Sequence, residues 1–106
     1  MANFILIYSG GSMPEDAAEI AAVTRAWEVW MTGLGSALVD GGNPFAPAAK
    51  HIGSDGKVHD GPIGIPATGY SILKAESLSA ALELAKGCPI LRDDGQLTVY
   101  ETVPVM

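Results

Sequence analysis

The residues of this chain with the most direct chemical potential are two histidines and an aspartate near the middle of the sequence. His51 and His59 are the two histidines, and Asp60 follows His59 directly. A carboxylate beside an imidazole stabilises the imidazolium and fixes the ring tautomer, so such a pair can move a proton near neutral pH. His51, His59 and Asp60 are therefore the candidate catalytic residues.

Asp60 also has a structural interpretation. It precedes Gly61-Pro62, where an aspartate can accept hydrogen bonds from the backbone N–H groups of a turn. Direct cooperation between His59 and Asp60 would need a bend, because successive side chains of a strand point to opposite faces. A role in the turn and a role in a cleft both stay open for this residue.

The same histidines could hold a metal ion as a cross-strand pair, with Asp60 or Asp40 as a third ligand. The sequence has no zinc-site spacing such as His-x-x-x-His, and histidines on hairpins are commonly solvated. Cys88 precedes Pro89 at the end of a helix, where the dipole raises rather than lowers a thiol pKa. We therefore expect no metal, no cofactor and no catalytic cysteine.

Four aromatic residues are candidates for contact with a small planar ligand. Trp27 and Trp30 lie on a helix, while Tyr8 and Tyr70 lie on strands that should be neighbours and could supply their hydroxyls to one cleft. The alternative for the tryptophans is packing in the core, which their position on an apolar stripe favours.

The elements that must position these residues follow from periodicity. Residues 4–8 form an apolar run that predicts a buried first strand, and the Gly-rich residues 9–12 form a turn. Pro14 predicts a helix start, since its fixed φ suits the first turn. The apolar stripe of this long helix consists of Ile20, Val23, Trp27, Trp30 and Leu34.

A short second strand over residues 37–39 leads into a Gly/Pro-rich segment, residues 41–47, which we interpret as a functional or dimer-contacting loop. Ser54-Asp55-Gly56 then predicts a hairpin. A three-residue loop with Gly56 in the left-handed conformation would pair His51 with His59. A two-residue turn would pair Ile52 with His59, so like-with-like pairing favours the first register.

The second half repeats the pattern of strand, helix and strand. Residues 69–75 predict a third main strand, Ser77 caps a helix, and residues 97–103 predict the last strand. The buried face of that helix should contain Leu78, Ala81, Leu82 and Ala85. Residues 1–106 should thus form one α+β domain, a ferredoxin-like sandwich with an inserted β-hairpin. Because its helices cover one sheet face, a second copy should cover the other, giving a homodimer of the dimeric α+β barrel type.

Composition limits the classes of partner. The chain has a net charge of −6, and its six lysines and arginines are scattered, which argues against nucleic-acid binding because phosphates require clustered positive charge. It has no apolar run near the ~20 residues that span a bilayer, and no basic leader precedes residues 4–8. The single cysteine is typical of a reducing compartment. We expect a cytoplasmic protein with no membrane contact.

These features together resemble the YCII-related family, in particular its DGPF-domain group. The resemblance covers the whole chain and rests on Asp60-Gly61-Pro62 after a Gly-turn hairpin, on Gly69-Tyr70 at the third strand, and on the helix that begins at Ser77-Leu78. It implies a dimeric ferredoxin-like protein in which a His/Asp pair is the acid–base machinery.

The chain departs from the family pattern at two places. The motif usually continues with Phe and a charged stretch, whereas residues 63–68 read Ile-Gly-Ile-Pro-Ala-Thr, and the long helix has no His. An acting imidazole must therefore be His51 or His59. The first hypothesis is a cofactor-independent enzyme that acts on a small cyclic or aromatic substrate. The alternative is a non-catalytic small-molecule-binding or accessory dimeric protein.

Overall fold

The computed structural model describes residues 1–11, 14–92 and 94–105. It contains six strands, two α-helices and two short 3-10 helices, at Gly35–Ala37 and Pro89–Arg92. The strands are β1 (Ala2–Ser9), β2 (Leu38–Asp40), β3 (Lys50–Ile52), β4 (Val58–Asp60), β5 (Ala67–Ala75) and β6 (Gln96–Glu101). The helices are α1 (Ala17–Leu34) and α2 (Leu78–Ala85).

Four strands form an antiparallel sheet in the order β2-β5-β1-β6, and β3 pairs with β4 in a separate two-stranded sheet. The central pair is β1 with β5, whose ends meet where Tyr8 is opposite Gly69. The α+β class and the four-stranded antiparallel sheet are thus confirmed.

Both helices pack on one face of this sheet. Alternate residues of β1, Phe4, Leu6 and Tyr8, are buried there, together with Leu73 of β5. Trp27 and Trp30 of α1 pack against the same core as Leu84 of α2. The other face, which we call the open face, contains the intervening residues: half-buried Ile5, Ile7 and Ile72, and exposed Tyr100.

The inserted hairpin has the register that like-with-like pairing favours. His51 is opposite His59 and Ile52 is opposite Val58. Gly56 has φ of 83°, and the backbone N–H of Gly53 donates to the carbonyl of Lys57 (2.9 Å), which closes a three-residue loop. A two-residue turn would have placed a histidine against an isoleucine.

Two expectations for the helices were wrong. α1 begins at Ala17 and not near Pro14, because Asp16 has extended backbone angles that end the preceding segment. Ser77 does cap α2 by accepting from the backbone N–H of Ala80 (3.1 Å). However, Leu78 and Leu82 are exposed whereas Ala81 and Ala85 are buried, since α2 turns its small residues toward the sheet.

Candidate functional site

A cleft of about 460 Å³, which we call the main cleft, lies between α1 and the adjoining ends of β1 and β5. Its side chains are largely apolar and include Tyr8, Trp27, Met31 and Ile90. The lining also includes Gly10, Gly11, Val23, residues 41–44 and residues 68–70. This volume falls in the range of small-molecule sites, roughly 300–1,000 Å³, which are mostly apolar with a few polar groups.

One wall of the cleft is a loop, residues 41–45, that continues along β5 after β2 ends; we call it the wall loop. The backbone N–H of Phe45 donates to the carbonyl of Thr68 (2.9 Å), and the N–H of Tyr70 donates to the carbonyl of Asn43 (3.4 Å). Gly42 has φ of 73°, and a Cβ built on it would lie 1.7 Å from the carbonyl oxygen of Tyr70. Only glycine fits here, because the loop backbone lies against the backbone of β5.

The wall loop is also tied to the core by a buried chain of hydrogen bonds. The hydroxyl of Tyr8 donates to Ser71 Oγ (2.7 Å). The hydroxyl of Ser71 in turn donates to the carbonyl of Gly41 (2.7 Å). Ser71 is fully buried, so its hydroxyl depends on these two protein partners. The phenol of Tyr8 therefore acts as an anchor, and its ring is what faces the cleft.

Burial dominates the ionisation of the two acidic groups beneath the cleft. It raises the pKa of the Tyr8 phenol well above its ordinary value and outweighs the hydrogen bond to Ser71, which lowers it. Burial likewise raises the pKa of the Cys88 thiol. Both groups are protonated and neutral in the folded protein at neutral pH, so neither supplies a nucleophile or a base.

This burial predicts a loss of stability at alkaline pH. Above the ordinary pKa values of 9.0 for Cys88 and 10.0 for Tyr8, the unfolded chain loses both protons while the folded protein keeps them. The free energy of unfolding should then fall by up to about 1.4 kcal/mol per pH unit for each group. Urea unfolding at several pH values below and above 9–10 measures how steeply the free energy of unfolding falls with pH. Tyr8→Phe should make this fall less steep. An equally steep fall in that variant would show that the Tyr8 phenol is not one of the groups responsible.

The two tryptophans have different roles in the structure. Trp27 lines the cleft, and its ring meets those of Tyr8 (5.3 Å) and Trp30 (5.8 Å) edge to face. Trp30 lies outside the cleft, and its indole N–H donates to the carbonyl of Leu84 (3.1 Å), which ties α1 to α2. Both rings pack against the core, as their position on the helical stripe predicts.

Tyr70 and Tyr8 do not bring their hydroxyls together. Tyr8 is opposite Gly69 in the sheet. Tyr70 is the next residue of β5, and because successive side chains of a strand point to opposite faces, its side chain is on the open face. Its ring stacks on Phe45 (5.9 Å), and its hydroxyl donates to Asp40 Oδ2 (3.4 Å). Both tyrosines line the main cleft, but their hydroxyls bond to different partners, Ser71 and Asp40, so a shared role of the two phenols stays a prediction.

The catalytic candidates lie on the hairpin, apart from the lining of the cleft. The rings of His51 and His59 stack with centroids 5.0 Å apart, and His51 Nδ1 donates to the carbonyl of Gly61 (2.9 Å). Asp60 is highly exposed and forms an ion pair with Lys50. Both residues are on the face of the hairpin opposite to the histidines. The structure therefore pairs the histidines with each other and Asp60 with lysine.

Sequence reasoning did not identify Met31 or Ile90 as lining residues. Met31 lies one residue beyond Trp30, just off the apolar stripe that ends at Leu34, while Ile90 belongs to a 3-10 helix with no periodic signal. The Gly/Pro composition of residues 41–47 was the available signal for the wall loop. Among residues 1–11, 14–92 and 94–105, no group of three potential metal-ligating side chains occurs.

Comparisons with known proteins give this chain no family by similarity: no family model matches it, and no curated protein matches it significantly. In the described part of the chain, neither helix has the length and hydropathy required to cross a bilayer.

Proposed function

We propose that this protein binds a small, uncharged cyclic or aromatic molecule in the main cleft. The observation that carries the proposal is a cleft of about 460 Å³ with an aromatic wall. Trp27 and Tyr8 provide ring edges and faces, and Met31 provides a polarisable side chain that adapts to a planar ligand.

The ligand class follows from the charges around the cleft. The described lining residues include no Asp, Glu, Lys, Arg or His, and Tyr8 is held neutral by burial. A charged ligand would lose its hydration without gaining an ion pair, which is unfavourable in an apolar site. Phenols and quinones in their neutral forms fit these requirements better than carboxylate ions.

An enzyme is the second candidate. In it, His51 or His59 would move a proton during elimination, isomerisation or hydrolysis of the bound molecule, together with Asp60. One observation favours the enzyme. The chain segment that contains His51, His59 and Asp60 begins and ends at the wall of the cleft, where the N–H of Phe45 donates to the carbonyl of Thr68. The separation of Asp60 from the histidines favours the binding function.

Membership of the YCII-related family, with a ferredoxin-like homodimer and a cytoplasmic location, is part of the proposal. The order of the main strands, the hairpin before Asp60-Gly61-Pro62 and the helices on one face support the ferredoxin-like assignment. The apolar residues of the open face support a dimer, because a sheet face of this kind is normally covered.

The binding proposal is tested with a panel of phenols, quinones and carboxylic acids, using thermal shift and tryptophan fluorescence. Neutral aromatic members should raise the melting temperature and change the emission of Trp27, whereas carboxylates should not. Val23→Phe should fill the cleft and weaken binding by about tenfold or more, which corresponds to ~1.4 kcal/mol. Val23 lines the cleft and is half-buried.

Val29→Phe is the matched control. Val29 is on the same helix, is exposed and lies outside the cleft, so this variant should bind as the wild type does. Equal binding by both variants would place the ligand elsewhere, and absence of binding across the panel would reject the ligand class. Asp60→Asn then separates the two functions: the enzyme requires loss of turnover, while the binding protein retains full affinity.

A further inference from the structure

The segment between the wall loop and β5, residues 46–66, is an arm that stands apart from the rest of the molecule. Its two strands, β3 and β4, contact each other and make no extended contact with another described element. An isolated two-stranded hairpin is marginally stable in water, and it normally needs a further surface to pack against. Within residues 1–11, 14–92 and 94–105, the arm therefore has no such surface in its own chain.

The arm exposes branched apolar side chains that a solvated hairpin does not require. Ile52 and Val58 are paired on the face opposite the histidines, and two more isoleucines follow the Asp60-Gly61-Pro62 turn. The exposed fractions are 67% for Ile52, 61% for Val58, 76% for Ile63 and 75% for Ile65. Apolar groups concentrated on one projecting element are typical of an interaction site.

The roots of the arm are stiff, which distinguishes it from a mobile lid. Four of the seven prolines of the chain, at positions 44, 47, 62 and 66, flank its strands. Each fixes a φ angle. The N–H of Gly61 donates to the carbonyl of Ala49 (2.8 Å), and Phe45 is bonded to Thr68 at the cleft wall. The arm is therefore held in a projecting position, where it can contact another molecule.

The distribution of charge favours a second copy of this chain as the partner. The arm contains Lys50, Lys57, Asp55 and Asp60 and is therefore neutral, so the whole net charge of −6 belongs to the rest of the chain. A neutral, apolar arm can lie on the acidic body of another copy without the repulsion that two bodies exert on each other. The open face provides a matching apolar surface, with Ile5, Ile7 and Ile72.

We infer that each arm docks on the open face of a second copy, so that a homodimer forms by exchange of arms. This inference rests on the proposed homodimer and goes beyond it by assigning the contacting element. Two arms contribute eight branched side chains. The apolar area of these side chains adds to the area that the two sheet faces bury. A stable interface buries roughly 1,200–2,000 Å² in total.

The test compares the sedimentation of wild-type protein with that of the double variant Ile63→Asp/Ile65→Asp over a dilution series. The dimer dissociation constant should rise at least about 100-fold, because two carboxylates would have to be buried on the partner, and this factor is ~2.7 kcal/mol. The variant should retain its circular dichroism, since both side chains are exposed in the isolated chain. Val29→Asp/Leu78→Asp, at exposed helix positions, should leave the dimer unchanged.

A second variant tests the receiving surface. Tyr100 is exposed and opposite Ile5 on the open face, so Tyr100→Asp should also weaken the dimer. A dimer that responds to Tyr100→Asp but not to the arm variant would overturn the arm assignment and leave the homodimer standing. Wild-type protein that sediments as a monomer would overturn both. Ligand binding in the main cleft, measured on each variant, reports separately on the proposed binding function.

Discussion

Gly42→Ala is expected to unfold the protein or to leave it without a stable native state. The new Cβ would lie 1.7 Å from the carbonyl oxygen of Tyr70, which is a backbone atom that cannot rotate away. Relief requires the wall loop to separate from β5, and this would break the bonds at Asn43 and Phe45. We expect a loss of at least about 4 kcal/mol, against a total stability of typically 5–15 kcal/mol.

Gly56→Ala is the control for this prediction. Gly56 has a similar positive φ, but a Cβ there meets nothing within 4 Å. Its substitution should therefore include only the cost of the left-handed conformation, about 1–2 kcal/mol. The free energy of unfolding of each variant is measured with urea. The difference between the two values gives the cost of the contact between the new Cβ at position 42 and the backbone of β5. Equal losses would show that the wall loop can move away from β5.

Ser71→Ala is expected to have the second largest effect. It leaves the hydroxyl of Tyr8 without its acceptor and the carbonyl of Gly41 without its donor, and both groups lie in or beside the core. A buried polar group without a partner costs about 1–3 kcal/mol, so we expect a total loss of roughly 2–4 kcal/mol. The wall loop should also lose order, and the affinity for a cleft ligand should decrease with it.

A double-mutant cycle with Tyr8→Phe tests the connection. If the hydroxyls act as one chain, Ser71→Ala should cost at least about 1 kcal/mol less in the Tyr8→Phe background, because the unpaired phenol is then absent. Ser79→Ala, on the exposed surface of α2, should change stability by less than about 0.5 kcal/mol. Additive losses in the cycle would mean that Tyr8 and Ser71 stabilise the protein independently.

The continuous apolar run of residues 4–8 was sufficient to predict β1, and the Ser54-Asp55-Gly56 turn with like-with-like cross-strand pairing was sufficient to predict the hairpin register. Both depend on local rules, namely the preference of a short apolar β-rich run for a buried strand and the pairing of side chains across a short hairpin. Ser77 was likewise predictable as a cap, since the cap bond joins residues three apart.

The position of the candidate site depended on longer-range contacts. Trp27 was identified as a ligand-contacting candidate, but Ile90, one of its partners in the cleft, comes from a distant 3-10 helix. The pairing of Tyr8 with Ser71 joins residues that are 63 positions apart, and no periodic signal records it. Leu78 and Leu82 were wrongly placed in the core for the same reason, because the sheet decides which face of α2 approaches it.

The sequence by itself determined the order of the strands and helices and the residues of the hairpin turn. It also determined the net charge of −6. These properties depend on neighbours along the chain or on composition. The pairing of Asp60 with Lys50 and the stacking of the histidines follow from the local register of the hairpin. The tertiary structure decided that Tyr8 bonds to Ser71 and that a neutral aromatic cleft forms beneath the wall loop. These two outcomes depend on which faces of distant strands meet, and a shift of one residue in the register of β5 would move Ser71 to the other face of the sheet.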